Sequence, residues 1–279
     1  MLSYLHGFHA GNFADVQKHG AQALALRMLQ AKPAGIACFD THAGSALYDL
    51  RSERSQKTAE AEQGIRKLWA AGPSSLGEDW QPLVNVLADI NQGGSALDQY
   101  PGSPEWFRRF RRPQDSLTTF ELHPTEGRHL ADWAGRDKVR VFREDGLSGL
   151  LRQLPPPLPR LLVLIDPSYE VKSDYGAVAD TLVRAWRKCR HGVYLVWYPI
   201  LTSGLEQTLK QAVVNGPVTR VLSSEIHLKC PPDKGMTGSG MLVVNPPWGF
   251  DERLAAMLAE VSGEECLNVS ATMDWLVPE

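Results

Sequence analysis

The chain is short of several things that would direct its reading elsewhere. Its four cysteines, Cys38, Cys189, Cys230 and Cys266, contain no CxxC pair and no metal-ligand spacing. That predicts a reducing, cytoplasmic setting and no bound metal. No apolar run approaches the ~20 residues needed to span a bilayer. The opening MLSYLHGFHAGNF also lacks the charged start and long apolar stretch of a signal peptide, so a membrane role is excluded. Positive charge is scarce in aggregate: the formal net charge is -3, which argues against a protein that coats nucleic acid by bulk electrostatics. Two local patches remain. Arg108, Arg109, Arg111 and Arg112 surround Phe107 and Phe110, and Arg184, Arg187, Lys188 and Arg190 form a second group. Either patch taken alone is explained as a solvated helix face. Internal repeats are absent, and LPPPLP at 154–159 reads as a rigid loop.

What is present is a composition for a packed core. Of 279 residues 43% are hydrophobic and 22% charged, far from the signature of disorder. Seven short apolar runs are read, at 35–40, 117–122, 139–143, 160–166, 192–198, 218–228 and 240–245, several of them ending in a polar or acidic residue. Helical periodicity follows them, as in parallel strands with crossover helices. Runs such as LLVLID and YLVWYP are nearly continuous hydrophobes, which fits a sheet buried on both faces. The fold class is therefore α/β, doubly wound and Rossmann-like. The gap between the first two strands is too long for one crossover helix. Two helices, TAEAEQGIRKLWAA and DWQPLVNVLADIN, are read there, broken by AAGPSSLGED. A third helix starts at Tyr100-Pro101-Gly102-Ser103-Pro104, with Ser103 as N-cap and Pro104 at the first helical position. This divides the chain into a discontinuous main domain, 1–48 and 99–279, and an inserted helical subdomain, 49–98.

In open α/β sheets ligands sit outside the carboxyl ends of the parallel strands, so those ends carry the chemistry. The first strand leads into Asp40-Thr41-His42-Ala43-Gly44, an acidic residue before a small-residue turn. GxGxxG is missing there, which disfavours a nicotinamide dehydrogenase. Glu121 after the second strand is suited to two ribose hydroxyls, because a carboxylate accepts two hydrogen bonds at once. Asp145-Gly146 after the third suits the adenine amine of a nucleoside cofactor, with the glycine letting the backbone approach its ring.

The fourth strand ends Asp166-Pro167-Ser168-Tyr169, which resembles the Asp-Pro-Pro-aromatic signature of enzymes that methylate exocyclic amines of nucleobases. An adenine amino nitrogen is a poor nucleophile, since its lone pair is delocalised into the ring. Hydrogen bonds from its two N–H groups to Asp166 and to the carbonyl of Pro167 favour a pyramidal nitrogen aimed at a sulfonium methyl. The carboxylate is placed to receive the departing proton. Tyr169 is expected to stack on the extruded base. For the Asp-Pro dipeptide alone, a strand-ending turn suffices; the matched strand ends tip the balance. Asn245-Pro246-Pro247-Trp248 fits the same signature literally. In the seven-stranded methyltransferase arrangement, however, the last strand runs antiparallel, which puts Asn245 on the wrong edge and makes it structural. The N-terminal segment holds Tyr4, His6, His9, Asn12, Asp15, Lys18 and His19. His6 and His9 lack further ligands for a metal, whereas Lys18 and His19 suit a cofactor carboxylate or a phosphate.

Dispersed motifs extend this across the chain: Met1-Leu2-Ser3-Tyr4, Phe8-His9-Ala10-Gly11-Asn12, Lys18-His19, Asp40 to Gly44, Tyr100 to Pro104, Glu121-Leu122-His123-Pro124, Asp145-Gly146, Trp197-Tyr198-Pro199, Gly235-Met236-Thr237 and Asn245 to Trp248. Together they resemble the bacterial 23S rRNA adenine-N6 methyltransferases. The resemblance implies a class I methyltransferase fold of seven strands, the last antiparallel, with a small helical subdomain inserted after the first strand. It implies S-adenosylmethionine as cofactor, held by His19, His42, Ser103, Glu121, Asp145 and Gly146, with Asp166 catalytic and Tyr4 meeting the RNA. It further implies a cytoplasmic enzyme with 23S rRNA as its partner, and the chain is expected to act as a monomer. Two residues depart from the family pattern. Ala46 stands where a second glycine is usual, and is expected to crowd the cofactor; Ser168 replaces a proline, which predicts a looser loop. The alternatives are a DNA adenine-N6 methyltransferase and a catalytically dead RNA-binding protein, the latter disfavoured by Asp166.

Overall fold

In the computed structural model, which describes residues 5–94, 96–135 and 137–278, one eight-stranded sheet organises the chain. Its strands are β1 (Ile36–Asp40), β4 (Ser116–Phe120), β5 (Val139–Phe142), β6 (Arg160–Ile165), β7 (Val193–Leu201), β8 (Val221–Leu228), β9 (Met236–Val244) and β10 (Val269–Val277). Their spatial order is β10-β8-β9-β7-β6-β1-β4-β5. β5, β4, β1, β6 and β7 are mutually parallel. β9 lies antiparallel between β7 and β8, and β10 runs antiparallel on the outer edge of β8. All seven expected strands are present and the antiparallel β9 is where the fold class puts it, but the sheet has eight strands, not seven. β10 escaped the sequence because it is an edge strand exposed over most of its length, so its side chains carry no run of buried hydrophobes.

Alternation across the sheet splits the core in two. Ile36, Cys38, Leu162, Leu164, Val193 and Leu195 face a layer containing α1 (Phe13–Leu29) and the C-terminal helix. Ala37, Phe39, Leu161, Val163, Ile165, Tyr194 and Val196 face the other layer. With both faces covered, every residue of β1 is buried, as are the last five of β6.

Between β1 and β4 the chain forms a small two-stranded sheet, β2 (Leu47–Asp49) against β3 (Gln99–Pro101), enclosing the short helices α2 (Glu53–Thr58), α3 (Ile65–Ala70) and α4 (Gln81–Ile90). The single helix expected from Thr58 to Ala71 is interrupted. Its cause is Gly64, whose backbone packs so closely on Gly11 and Asn12 that a Cβ there would lie 2.2 Å from the Gly11 carbonyl oxygen. The Ile65 N–H donates to that same carbonyl at 2.8 Å. Such a contact between distant segments cannot be seen in local periodicity.

The remaining helices are α5 (Ser103–Phe110), α6 (Pro124–Ala134), α7 (Gly146–Gln153), α8 (Asp174–Lys188), α9 (Glu206–Val214) and α10 (Phe250–Val261). Ser103 is not the N-cap of α5. Gly102 takes that place, and Ser103 is the first helical residue.

Candidate active site

Parallel strands deliver their carboxyl ends to one edge, and there Asp40, Glu121, Asp145 and Asp166 gather. A cavity of about 250 Å³ opens at this edge. Lys18 and His19, from the first half of α1, reach it across the sheet. Nine of the residues expected from the sequence line it: Lys18, His19, His42, Ser103, Glu121, Asp145, Gly146, Asp166 and Pro167. Tyr4 lies outside the described residues. Tyr169 does not line the cavity. Its ring is buried, 4.4 Å from that of Tyr175 and 6.0 Å from that of Trp197 between centroids, and its hydroxyl donates to the Trp197 carbonyl at 2.7 Å.

The deepest part of the site is a chain of charges. Lys18 donates to Asp166 Oδ2 at 2.6 Å and pairs with Asp15 at 2.8 Å, with all three side chains largely buried. Asp15 in turn meets His6 Nε2 at 3.0 Å and accepts from the Gly11 N–H at 2.8 Å. Burial would neutralise Lys18, but the carboxylates of Asp15 and Asp166 outweigh it and hold the ammonium charged. Lys18 is thus engaged by the chain's own carboxylates, where a cofactor carboxylate had been expected. Burial pushes Asp166 above the usual carboxylate range, while Lys18 beside it works to keep it ionised. Asp166 Oδ1 makes no hydrogen bond among the described residues.

Around this centre the other groups are set by local structure. Burial lowers His19 well below the ordinary histidine range. Its Nδ1 lies 2.8 Å from the Tyr100 hydroxyl and its buried Nε2 has no partner. With Tyr100 donating to Nδ1, the ring proton sits on Nε2 and makes a donor of it. Burial also lowers His42, to about 4. Glu121 accepts from the Gly44 N–H at 2.8 Å and the His123 N–H at 2.7 Å, so the turn after β1 is tied to the end of β4; burial raises its pKa. Asp145 N-caps α7 by accepting from the Ser148 N–H at 2.9 Å. Burial opposes its charge, but the hydrogen bonds from Ser148 and Leu147 and the nearby His42 prevail and hold it below the usual range.

Gly146 lines the cavity and is also needed for packing. A Cβ there would sit 1.8 Å from the Thr41 carbonyl oxygen, so the glycine lets α7 close onto the β1 turn. Ala46 is fully buried beside Ala43 and Leu130, in the left-handed region at φ 68°, and does not line the cavity.

Asp40, the acidic residue that ends β1, has no role assigned by local pattern. It is fully buried, with the His42 N–H donating to its Oδ1 at 3.4 Å, and its Oδ2 has no partner among the described residues. Burial raises it to about 7. Asp40 itself does not line the cavity, although its neighbours Thr41 and His42 do.

The arginine patch on α5 proves to be tied down. Arg108 and Arg109 clasp the buried Glu105 at 2.7 and 2.8 Å, and Arg112 pairs with Asp115 at 3.0 Å. Among the described residues no three His, Cys, Asp or Glu cluster as metal ligands, and no helix is long and apolar enough to cross a membrane.

Known proteins share this arrangement. The family described as "Ribosomal RNA large subunit methyltransferase D, RlmJ" matches residues 33–277. The chain belongs to that family. Proteins called "Ribosomal RNA large subunit methyltransferase J" from Escherichia coli (strain K12) and Haemophilus influenzae are 38% and 35% identical to it, each covering 100% of both chains. The crystal structure of protein LPL1258 from Legionella pneumophila superposes with a TM-score of 0.89 at 33% identity, covering 96% of this chain and 98% of that one. The family's fold is therefore the one built here, a Rossmann-like class I methyltransferase sheet.

Proposed function

We propose that the protein transfers a methyl group from S-adenosylmethionine to N6 of an adenine in 23S rRNA. The observation that carries this is the position of Asp166-Pro167 at the end of β6, opening on the same cavity as Glu121, Asp145 and His19. That cavity suits the cofactor end by end. The Nε2–H of His19 is a donor for its carboxylate. Ser103 and His42 line the wall above Asp40. Glu121 keeps lone pairs for the ribose hydroxyls, and Asp145 with Gly146 borders the place for the adenine. When bound, the cofactor supplies a methyl group on a positively charged sulfur.

The chain's own part is to orient the amine. One adenine N–H donates to Asp166 Oδ1 and the other to the Pro167 carbonyl, which withdraws the lone pair from the ring and aims it at the methyl carbon. The nitrogen–carbon bond forms as the carbon–sulfur bond breaks, its electron pair staying on sulfur. The extra proton on N6 then passes to Asp166 or to solvent. Lys18 favours the ionised Asp166 that this needs. Tyr169, enclosed by Tyr175 and Trp197, anchors the turn in this arrangement, and stacking on the base would require its ring to leave that packing. The reading places the enzyme in the bacterial cytoplasm, acting as a monomer, with Tyr4 meeting the RNA.

Incubation with labelled S-adenosylmethionine and, separately, unmodified large-subunit rRNA, small-subunit rRNA and DNA tests the proposal. Label is expected in large-subunit rRNA alone, and Asp166→Ala is expected to slow transfer by about 10²-fold or more. Label entering only DNA would overturn the substrate, and an unchanged rate of transfer in Asp166→Ala would overturn the mechanism.

A further inference from the structure

The sheet edge opposite Asp166 carries a second cavity, of about 690 Å³. It forms where β6, β7 and β8 begin, β9 ends and α1 and α8 finish, and the methyl-transfer chemistry makes no use of it. Lys32, Arg160, Arg190, Arg220 and Arg253 line it together with Trp248, and no aspartate or glutamate does. In a chain of net charge -3, five cations on one wall concentrate positive potential. Arg253 is paired with Asp79 at 2.9 Å. Lys32, Arg160 and Arg190 have no carboxylate partner among the described residues.

Trp248 belongs to the Asn-Pro-Pro-Trp copy of the catalytic signature. It is 95% exposed, the largest apolar side chain to be left almost wholly in water. Its support is rigid. Asn245 Nδ2 donates to the carbonyls of Arg190 at 2.7 Å and Gly192 at 2.8 Å, and the Asn245 N–H donates to that of Arg220 at 2.9 Å. Two prolines follow, and the Phe250 N–H closes the turn onto the Pro247 carbonyl at 3.0 Å. The same Asn245 thus fixes the backbone of two of the cationic residues and the stalk of the ring. Cations that follow a backbone, beside a projecting aromatic ring, are the combination by which proteins hold single-stranded nucleic acid. A purely anionic ligand would leave Trp248 without a role, and a protein partner would leave the one-signed wall without one.

We infer that this groove is a second RNA contact, in which Lys32, Arg160 and Arg190 meet phosphates of an unpaired segment of the rRNA substrate and one of its bases stacks on Trp248. It rests on RNA being the substrate, as proposed above. The substrate then spans the molecule, with its target adenine at one edge of the sheet and a grip at the other.

The test uses the full chain and a transcript of large-subunit rRNA, with affinity measured over a salt series. Trp248→Ala is expected to weaken binding about tenfold, and Trp248→Phe to restore most of it. Lys32→Glu with Arg190→Glu is expected to lower the slope of log affinity against log salt by about two, one for each lost phosphate contact. Methyl transfer at saturating transcript should be unchanged in all three, which separates a grip from a catalytic or folding defect. Wild-type affinity and slope in Trp248→Ala and the charge variant would overturn the inference. So would a loss accompanied by a fall from dimer to monomer in sedimentation, because the groove would then hold a second copy of the chain. Groove-dependent binding by a protein that transfers no methyl group would support the inference while refuting the proposed reaction; transfer to DNA with no transcript binding would refute both.

Discussion

Asp40 and Asp166 are both buried carboxylates, and they differ in what surrounds them. Asp166 has Lys18 at 2.6 Å, whereas one oxygen of Asp40 has no partner among the described residues. Because burial raises Asp40 to about 7, the folded chain keeps a proton that the unfolded chain releases near pH 4. Its contribution to stability is therefore fully present below about pH 4 and is lost as the pH rises to about 7. Asp40→Asn removes that loss. It is expected to unfold at a higher temperature than wild type at pH 8, with a smaller difference at pH 5, as read by thermal denaturation. Equal stability gains at both pH values would count against a buried charge. Ser168 lines the cavity beside Pro167, where proline would restrict the backbone. Ser168→Pro is expected to change the rate or the RNA affinity of methyl transfer by tightening the loop; identical kinetics would remove the idea that the loop is loose.

Among the elements, the strand ends were the most legible in the sequence, because a short β-prone stretch that gives way to an acidic residue marks the edge of a parallel sheet. Glu121, Asp145 and Asp166 were found that way, and all three line one cavity. His42 and Ser103 came through family resemblance, since neither sits at a position that local pattern singles out. The charge on α5 was misleading in isolation. Its arginines neutralise Glu105, a buried carboxylate that also accepts from Trp133 Nε1 at 2.7 Å. Glu105→Ala would remove the shared buried partner of the two guanidinium groups beside the α5–α6 contact, leaving Arg108 to the more exposed Asp137 and Arg109 to the more exposed Asp89. Both arginines are partly exposed, so the cost is expected near the lower end of that for broken buried pairs, about 2–3 kcal/mol, read from urea unfolding. A loss under about 0.5 kcal/mol would show the clasp to be solvent-screened.

At the scale of the whole molecule, the insertion between β1 and β4 does not stand apart. Trp80, Leu83 and Leu87 join the same core as α1 and α10, and Trp80 Nε1 donates to the Met257 carbonyl at 2.9 Å. Trp80→Ala is expected to destabilise the chain by about 3–5 kcal/mol, with fluorescence and circular dichroism reporting one coincident transition. Two separated transitions would make 49–98 an independently folding subdomain. Sequence alone determined that the chain is doubly wound α/β, where seven of its strands lie, and which acidic residues follow several of them, because strand-forming runs and helical periodicity leave local traces. Tertiary structure decided the rest. It added an exposed edge strand, broke a helix at Gly64 against a segment some fifty residues earlier, delivered Lys18 to Asp166, and left one oxygen of Asp40 without a partner among the described residues. It also carried Asn245 to Trp248 to the far edge of the sheet. Each of these depends on which segments meet in space, and a distance between segments far apart in the chain is written in no local stretch of it.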